Sequence, residues 1–262
     1  MSATLLAAVV IVTASVVLAA GGFRLAVWLR PALRHEAPTD VKSVYFSMVG
    51  VLYAILLAFV AGLALLSPSR TVRVISRIYV EGLRGTSEVV QLFWIFFALP
   101  VLVGIQIVPL WAGILVLGLN HGAYGAEIVR GAVQSVPRAQ YEGAIALNLT
   151  AAQRMRRVIL PQAVVEMIPP FNNLFIQLLK SSALLSFIFV NDLTRQGQGV
   201  LVPNFTGQSF TILLLVLIGY LIFSLLITLT MRLLERWAAA VVGRGPSVRS
   251  RVVTDVSTMG VT

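Results

Sequence analysis

Long apolar runs separated by short polar connections dominate the pattern of this chain. A helix needs about 20 mostly apolar residues to cross the hydrocarbon core of a bilayer. Six stretches meet this requirement, and because each is continuous rather than alternating, they predict helices rather than strands. They cover residues 3–22, 44–66, 88–104, 109–130, 164–190 and 209–231. The predicted fold class is all-α, a polytopic membrane protein with about six transmembrane helices.

The composition favours a membrane protein and argues against several other classes of protein. Of 262 residues, 58% are hydrophobic and only 11% are charged, which is too little charge for the surface of a soluble domain. Without cysteine, the chain has no disulfide and no thiolate ligand. No nucleophile, metal or cofactor motif is visible, so neither catalytic nor metal-binding residues are predicted and the chain is not expected to be an enzyme. It also lacks a G-x-x-x-x-G-K-[ST] loop, so any ATP that drives it is expected to bind another chain.

The basic residues predict the orientation of the helices. They gather in three blocks, within 67–87, 130–157 and 232–251, and alternation of the last five helices puts all three blocks on one side. The opposite loops, near 105–108 and 191–208, carry only Asp192 and Arg195 as charged residues. The positive-inside rule therefore predicts that the three blocks and the C-terminus are cytoplasmic. The tail over 243–262 is rich in polar, Gly, Pro and Ser residues and is predicted to be disordered.

The connection over 135–162 predicts a helix–turn–helix hairpin on the cytoplasmic side. Pro137 suits the first turn of a helix, and Asn148 tolerates the left-handed conformation that ends one. Thr150 stands three residues before Gln153, which is the spacing of a capping box at the start of a second helix. Pro161 marks the point where the next membrane segment begins, and Pro169-Pro170 predict a break with a partly interfacial stretch beyond it.

The second helix of the hairpin is predicted to be short and amphipathic. Arg154, Arg156 and Arg157 would lie in its last turns, where basic residues are favourable. Its apolar face would carry Met155, Val158 and Ile159. A compact amphipathic hairpin of this kind suits docking in a groove of a soluble partner. The alternative is a structured loop that lies on the membrane surface.

Polar residues inside the apolar runs are candidates for a solute path. Asn120, Tyr124 and Glu127 share one helix face, and Arg130 lies close enough on that helix to neutralise Glu127. They either contact a polar solute or form ordinary structural pairs between helices. Lys180 of the fifth stretch is a further candidate, with a snorkelling or paired lysine as the alternative.

The hairpin also carries a recognisable motif. The chain reads Glu142-Gly143-Ala144, three residues, Asn148, nine residues, and then Val158-Ile159-Leu160-Pro161. This resembles the signature loop of bacterial binding-protein-dependent ABC importers, with Gly143, Asn148 and Val158 as departures from its pattern. The resemblance implies a loop that couples the permease to its ATPase. On this chain the implied coupling residues are Glu142, Gly143, Ala144, Asn148, Thr150, Arg154, Arg157, Leu160 and Pro161.

Further motifs narrow the resemblance to the polar amino-acid permeases, for histidine, glutamate, glutamine, arginine and opines. The motif Glu81-x-x-Arg84-Gly85-Thr86 followed by Gln91 is similar to the sequences of that branch. The sequence of residues 146–163 is especially similar to ectoine and hydroxyectoine permeases. The resemblance covers about 62–236. It implies an inner-membrane permease for small polar solutes, without a cofactor of its own and without a nucleic-acid partner. The implied partners are ATP-binding subunits, a second permease subunit, either identical or related, and an extracytoplasmic solute-binding protein.

Residues 1–60 do not follow that family. Residues 49–60 resemble instead the opening helices of an uncharacterised bestrophin-like bacterial membrane family, which would make the chain a natural fusion. In that case nothing specifies how the helix over 44–66 packs against the rest. Two other functions therefore stay open, a channel or secondary carrier without an ATPase and a fusion protein that transports nothing.

Overall fold

The computed structural model describes residues 39–104 and 106–241, and within them the side chains of residues 50–104 and 106–240. All regular structure in these residues is helical, which confirms the predicted all-α class. The predicted helix over 3–22 and the tail over 243–262 lie outside the described residues.

The first half of the described chain forms six α-helices. A π-helical turn, Trp94–Ala98, joins the third to the fourth. The helices are α1 (Thr39–Leu65), α2 (Arg70–Arg84), α3 (Glu88–Phe93), α4 (Leu99–Val103), α5 (Pro109–Ser135) and α6 (Arg138–Ala146).

The second half runs from α7 to α11. A π-helical turn, Met155–Ile159, joins α7 to α8, and 3-10 turns cover Ala183–Ile188 and Thr206–Gln208. A further π-helical segment, Gln196–Leu201, follows α9. The helices are α7 (Ala151–Arg154), α8 (Leu160–Ser182), α9 (Leu193–Arg195), α10 (Val202–Asn204) and α11 (Ser209–Val241).

Length and composition identify membrane spans among the described residues. One helix, Thr206–Ala240, is long and apolar enough to cross a membrane. The number rises to three if each of two bent pairs is one span. The pairs are Arg70–Arg84 with Glu88–Val103, bent by 99°, and Ala151–Ile188 with Leu193–Asn204, bent by 54°. The total of about six transmembrane helices therefore stays a prediction.

Small residues bring α1 and α5 into close contact. A Cβ atom added to Gly62 would lie 2.6 Å from Cβ of Val129 and 2.7 Å from the carbonyl oxygen of Ala126, so the two backbones leave no room for a side chain. Such close packing is what holds helices together in lipid, where burial of apolar surface adds little. The other small buried residues of the two helices include Ala54, Ala58 and Ala61 in α1 and Gly122 and Gly125 in α5. Helix α1 is therefore packed into the helix bundle.

The predicted break at Pro169-Pro170 is wrong, because α8 is continuous from Leu160 to Ser182 through both prolines. Proline is tolerated inside membrane helices when neighbouring elements hold the helix in place. Here Met167 and Phe171 on either side of the prolines are buried in the core, and Phe171 stacks on Phe59 of α1 with ring centroids 6.3 Å apart.

Sequence reasoning also missed α2, which the basic residues had placed in a polar connection. The helix buries Ser76 and Val80 while its arginines stay exposed, so its amphipathic spacing was the signal that could have revealed it. Val80 packs in a cluster with residues of α1 and α5.

Gly62 provides a test of the α1–α5 contact. Gly62→Ala should destabilise the protein by about 1–3 kcal/mol, because the new methyl group overlaps Val129 and a backbone oxygen. Gly131→Ala in α5 is the matched control, since no atom of the described residues lies within 4 Å of its added Cβ. Thermal unfolding of both variants in detergent measures the difference. Equal unfolding temperatures would contradict the close contact.

A hairpin and a polar face as the candidate functional site

Local sequence signals build the turn of the predicted hairpin. Asn148 adopts the left-handed conformation, with φ of 54°. Its N–H donates to the carbonyl of Ile145 over 2.8 Å, and the N–H of Leu149 donates to the carbonyl of Ala144 over 3.1 Å. This pair of bonds is the Schellman arrangement that ends a helix. The prediction for Asn148 is confirmed.

The second helix begins as predicted but does not end as predicted. Thr150 and Gln153 form both bonds of a capping box. The helix then continues through the π-helical turn into α8, so Arg154, Arg156 and Arg157 do not lie at a helix C-terminus. The π turn directly precedes Pro161, whose missing N–H cannot close an ordinary helical bond. The arginines therefore lie inside one long helix that runs on into α8.

The base of the hairpin is tied to the two helices that lead into it and out of it. The hydroxyl of Tyr141 in α6 donates to the carbonyl of Val133 in α5 over 3.1 Å. The amide nitrogen of Gln162 in α8 donates to the side-chain oxygen of Gln140 in α6 over 3.3 Å. Ile159 is fully buried, and Met155 and Val158 pack against the same core cluster, as predicted. A displacement of the hairpin therefore reaches both α5 and α8.

The outer surface of the hairpin is exposed and partly apolar. Ile145 and Leu147 are 56% and 75% exposed, although both are large hydrophobic residues. Among the predicted coupling residues, Ala144 is buried and Arg154 and Leu160 are half-buried. The exposed ones are Glu142, Gly143, Asn148, Thr150, Arg157 and Pro161.

Helices α5 and α8 run antiparallel, which sets the level of each polar residue. A Cβ on Gly113 would touch Leu185, just beyond α8, whereas one on Gly125 would lie 3.4 Å from a side-chain carbon of Leu174. Tyr124 is therefore level with Leu174. At a rise of 1.5 Å per residue, Lys180 lies about 9 Å further along α8.

The polar residues of α5 form a half-buried cluster around an ion pair. The guanidinium of Arg130 donates to Oε2 of Glu127 from two nitrogens, over 2.6 and 2.9 Å. It also donates to the side-chain oxygen of Gln134 over 2.7 Å. One helical turn away, the guanidinium of Arg84 in α2 lies 5.1 Å from the centre of the Tyr124 ring, a cation–π contact.

A polar stripe on α8 faces the same side. Asn173, Gln177 and Lys180 are exposed, and their spacing of four and three residues puts them on one helix face. On both helices these residues lie away from the contacts with α1, which use Phe171 on α8 and Gly125 on α5. We call this set the polar face: Arg84, Tyr124, Glu127, Arg130, Asn173, Gln177 and Lys180. Asn173 and Gln177 were not among the predicted solute-path residues, and the helical spacing of polar residues in α8 was the signal that could have revealed them.

Asn120 lies apart from the polar face although it was predicted to share it. The residue is 1% exposed and sits beneath the bend between α2 and α3. Its amide nitrogen donates to the carbonyl of Leu83 over 3.1 Å and to the side-chain oxygen of Gln91 over 3.2 Å. Gln91 in turn donates to the same Leu83 carbonyl over 2.8 Å and to the hydroxyl of Thr86 over 2.6 Å. Asn120 thus holds the end of α2.

Asn172 lies next to the polar stripe on α8. Its side-chain oxygen is buried and has no hydrogen-bond partner among the described residues. The adjacent Asn173 points into the exposed stripe instead.

Comparison with known proteins identifies similar chains. The family described as "Binding-protein-dependent transport system inner membrane component" matches residues 54–239. The probable amino-acid ABC transporter permease protein y4tF of Sinorhizobium fredii (strain NBRC 101917 / NGR234) is 42% identical over 204 residues, which are 74% of this chain and 85% of that protein. The glutamine transport system permease protein GlnP of Escherichia coli (strain K12) is 34% identical over 212 residues, which are 80% and 95% of the two chains.

A solved structure shares the fold. The crystal structure of an amino acid ABC transporter with histidines superposes with a TM-score of 0.68 and 32% sequence identity. The similarity covers 75% of this chain and 90% of that chain.

The turn of the hairpin can be tested at Asn148. Asn148→Ala should weaken the turn by about 1 kcal/mol, because alanine tolerates positive φ less well than asparagine, whereas Asn148→Gly should not. Hydrogen exchange at the amide of Leu149, which bonds to Ala144, should accelerate about fivefold in the alanine variant only. Equal exchange in both variants would show that the left-handed residue does not hold the turn.

Proposed function

The chain belongs to the binding-protein-dependent transport system inner membrane components, as a permease subunit of an amino-acid ABC importer, and we propose how its hairpin and polar face serve that activity. The hairpin, α6 with the start of α7, is proposed as the contact for the ATPase. The observation that carries this proposal is the combination of exposed apolar residues at its tip with hydrogen bonds at its base to α5 and α8.

Docking of the ATPase at the hairpin tip explains how a movement of the ATPase would be passed to the membrane helices. Ile145 and Leu147 are suited to a groove on a soluble protein, where their apolar surface would be covered. The partner must contact the hairpin differently in its two nucleotide states, since a ligand with equal affinity for both conformations shifts nothing. The bonds of Tyr141 and Gln140 would then carry the displacement to α5 and α8.

The partners of the family define the assembly. Permeases of this family work with ATP-binding subunits and with a solute-binding protein. We propose in addition that a second permease subunit faces this one, that ATP is bound by the partner and no cofactor by this chain, and that the chain itself catalyses no reaction. Members of this family are inner-membrane components of transport systems. The hairpin and the C-terminus are proposed to be cytoplasmic, in agreement with the basic residues.

The polar face is proposed to line the solute path. Exposed amides and a lysine on a membrane helix are costly against lipid, so this face is expected to border water or a second subunit. An amino acid carries a carboxylate and an ammonium group at once. Lys180 and Arg84 offer cations to the carboxylate, whereas Glu127 is already paired with Arg130 and would act on a solute only through that pair.

The solute is proposed to be a zwitterion of amino-acid type. The relatives named above carry amino acids or glutamine in their names, which supports this class. An ectoine-like solute is a more specific proposal, and it rests only on the sequence similarity of residues 146–163 to ectoine permeases.

Leu147→Asp tests the contact with the ATPase. A carboxylate at this position, which is 75% exposed, should leave the fold intact and weaken co-purification of the ATP-binding subunit more than about tenfold, because a charge would be buried in the contact. Phe205→Asp is the control, since this 55% exposed residue precedes the 3-10 turn far from the hairpin. Full co-purification of the Leu147→Asp variant would overturn the docking role. Solute uptake by the chain alone under an ion gradient would overturn the importer as a whole.

Lys180→Gln tests the solute path. If the ammonium group binds the solute carboxylate, its loss should raise the KM for uptake by about tenfold or more, which corresponds to a charged hydrogen bond of about 1.5–3 kcal/mol. Lys180→Arg should retain most of the affinity, because it keeps the charge. Uptake in proteoliposomes with the complete transporter measures both variants. An unchanged KM for Lys180→Gln would assign the lysine to the membrane surface instead.

A further inference from the structure

Two ionisable side chains meet beneath the bend between α2 and α3. Nε2 of His121 in α5 lies 4.0 Å from Oε1 of Glu88, the first residue of α3. The two side chains are 1% and 16% exposed. Nothing in the proposed transport activity uses either group, and Nε2 has no hydrogen-bond partner among the described residues.

The other ring nitrogen determines what Nε2 can do. Nδ1 of His121 lies 3.1 Å from the carbonyl oxygen of Leu117, which can only accept, so Nδ1 carries a hydrogen atom. In a neutral ring, Nε2 is then a lone pair that faces a carboxylate. Two acceptors facing each other in a buried site are unfavourable, and the carboxylate would also keep its charge without a partner. One proton, on either the ring or the carboxyl group, removes both costs.

Among the residues that the structure describes, the surroundings of the pair offer no hydrogen-bond donor that could replace this proton. The small cavity beside the ring is lined by apolar residues of α1 and α8: Ala54, Ile55, Phe171, Leu174, Phe175 and Leu178. Tyr53 of α1 and Tyr79 of α2 are titratable groups that pack against α5 on either side of His121, and the Tyr79 hydroxyl donates to the carbonyl of Leu119 over 2.8 Å. The charges of Arg84 and Lys180 lie on the polar face, where Arg84 stacks on Tyr124.

We propose that the partly exposed Glu88 and the buried His121 form a proton-binding site that holds one proton and latches the bend onto α5. With the proton present, the pair joins the first residue after the bend to the helix that carries Asn120, which holds the last turn before the bend. Loss of the proton leaves the bend with the hydrogen bonds of Asn120 and Gln91. The site is thus a second attachment of α3 that depends on pH.

The sign of the pH dependence follows from proton counting. In the unfolded chain, a histidine and a glutamate side chain together hold less than one proton above about pH 6.5. The folded pair holds one, so the folded state binds more protons than the unfolded state, and stability falls as pH rises until the pair loses its proton.

Magnetic resonance can count the proton directly in the complete transporter. The chain has two histidines, so His35→Gln leaves His121 as the single imidazole when this subunit alone carries 15N-histidine and 13C-glutamate. The 15N signals report whether the His121 ring is protonated. The 13C carboxyl signal of Glu88 is assigned as the one that disappears in Glu88→Gln, and it reports whether that carboxyl group is protonated. At pH 7 one member of the pair should be protonated and the other not. A neutral ring beside an ionised carboxylate, or protons on both members, would overturn the proposal.

Thermal unfolding of the complete transporter between pH 6 and pH 9 tests the latch. The unfolding temperature of the unaltered protein should fall by about 2–4 °C more than that of Glu88→Gln, whose amide bonds to Nε2 without a titrating proton. Glu235→Gln, a matched change at an exposed residue of α11, should follow the unaltered protein. If Glu88→Gln follows it as well, the pair does not latch the bend.

Discussion

The close contact between α1 and α5 is the constraint on which the rest of the structure depends. Glycine and alanine side chains let the two backbones approach until Gly62 lies against the backbone of Ala126. In a bilayer, this kind of contact replaces the hydrophobic driving force that assembles soluble helices. Helix α5 contacts the bend, contributes residues to the polar face and leads into the hairpin, so its position against α1 affects all three.

The second constraint is that a polar group inside a membrane needs a partner. The bend between α2 and α3 ends the helical hydrogen bonds of α2, so its last carbonyls need partners from elsewhere. Asn120 and Gln91 meet that need by donating to the carbonyl of Leu83. The 99° break between α2 and α3 is therefore held in part by an amide that α5 places beside it.

The same long helices connect the candidate docking surface to the candidate solute path. Helix α5 carries Tyr124 and Glu127 in its C-terminal half, and its Val133 carbonyl accepts a hydrogen bond from the Tyr141 hydroxyl of the hairpin. Helix α8 begins at the hairpin and reaches Lys180 near its other end without interruption. A rigid connection of this kind is what transmission between two sites requires, provided that the assembly has two states to choose between.

Short-range chemistry was determined by the sequence itself. Asn148, the Thr150–Gln153 capping box and the Glu127–Arg130 pair depend on residues three to five positions apart, so helical spacing alone brings them together. The all-α class and the family followed from apolar runs and from the motif of the hairpin. The tertiary structure alone decided that α8 continues through Pro169-Pro170, that Asn120 holds the bend rather than lining the polar face, and that His121 meets Glu88. Each of these depends on which helix lies beside which, and contacts across such distances along the chain leave no local pattern to read.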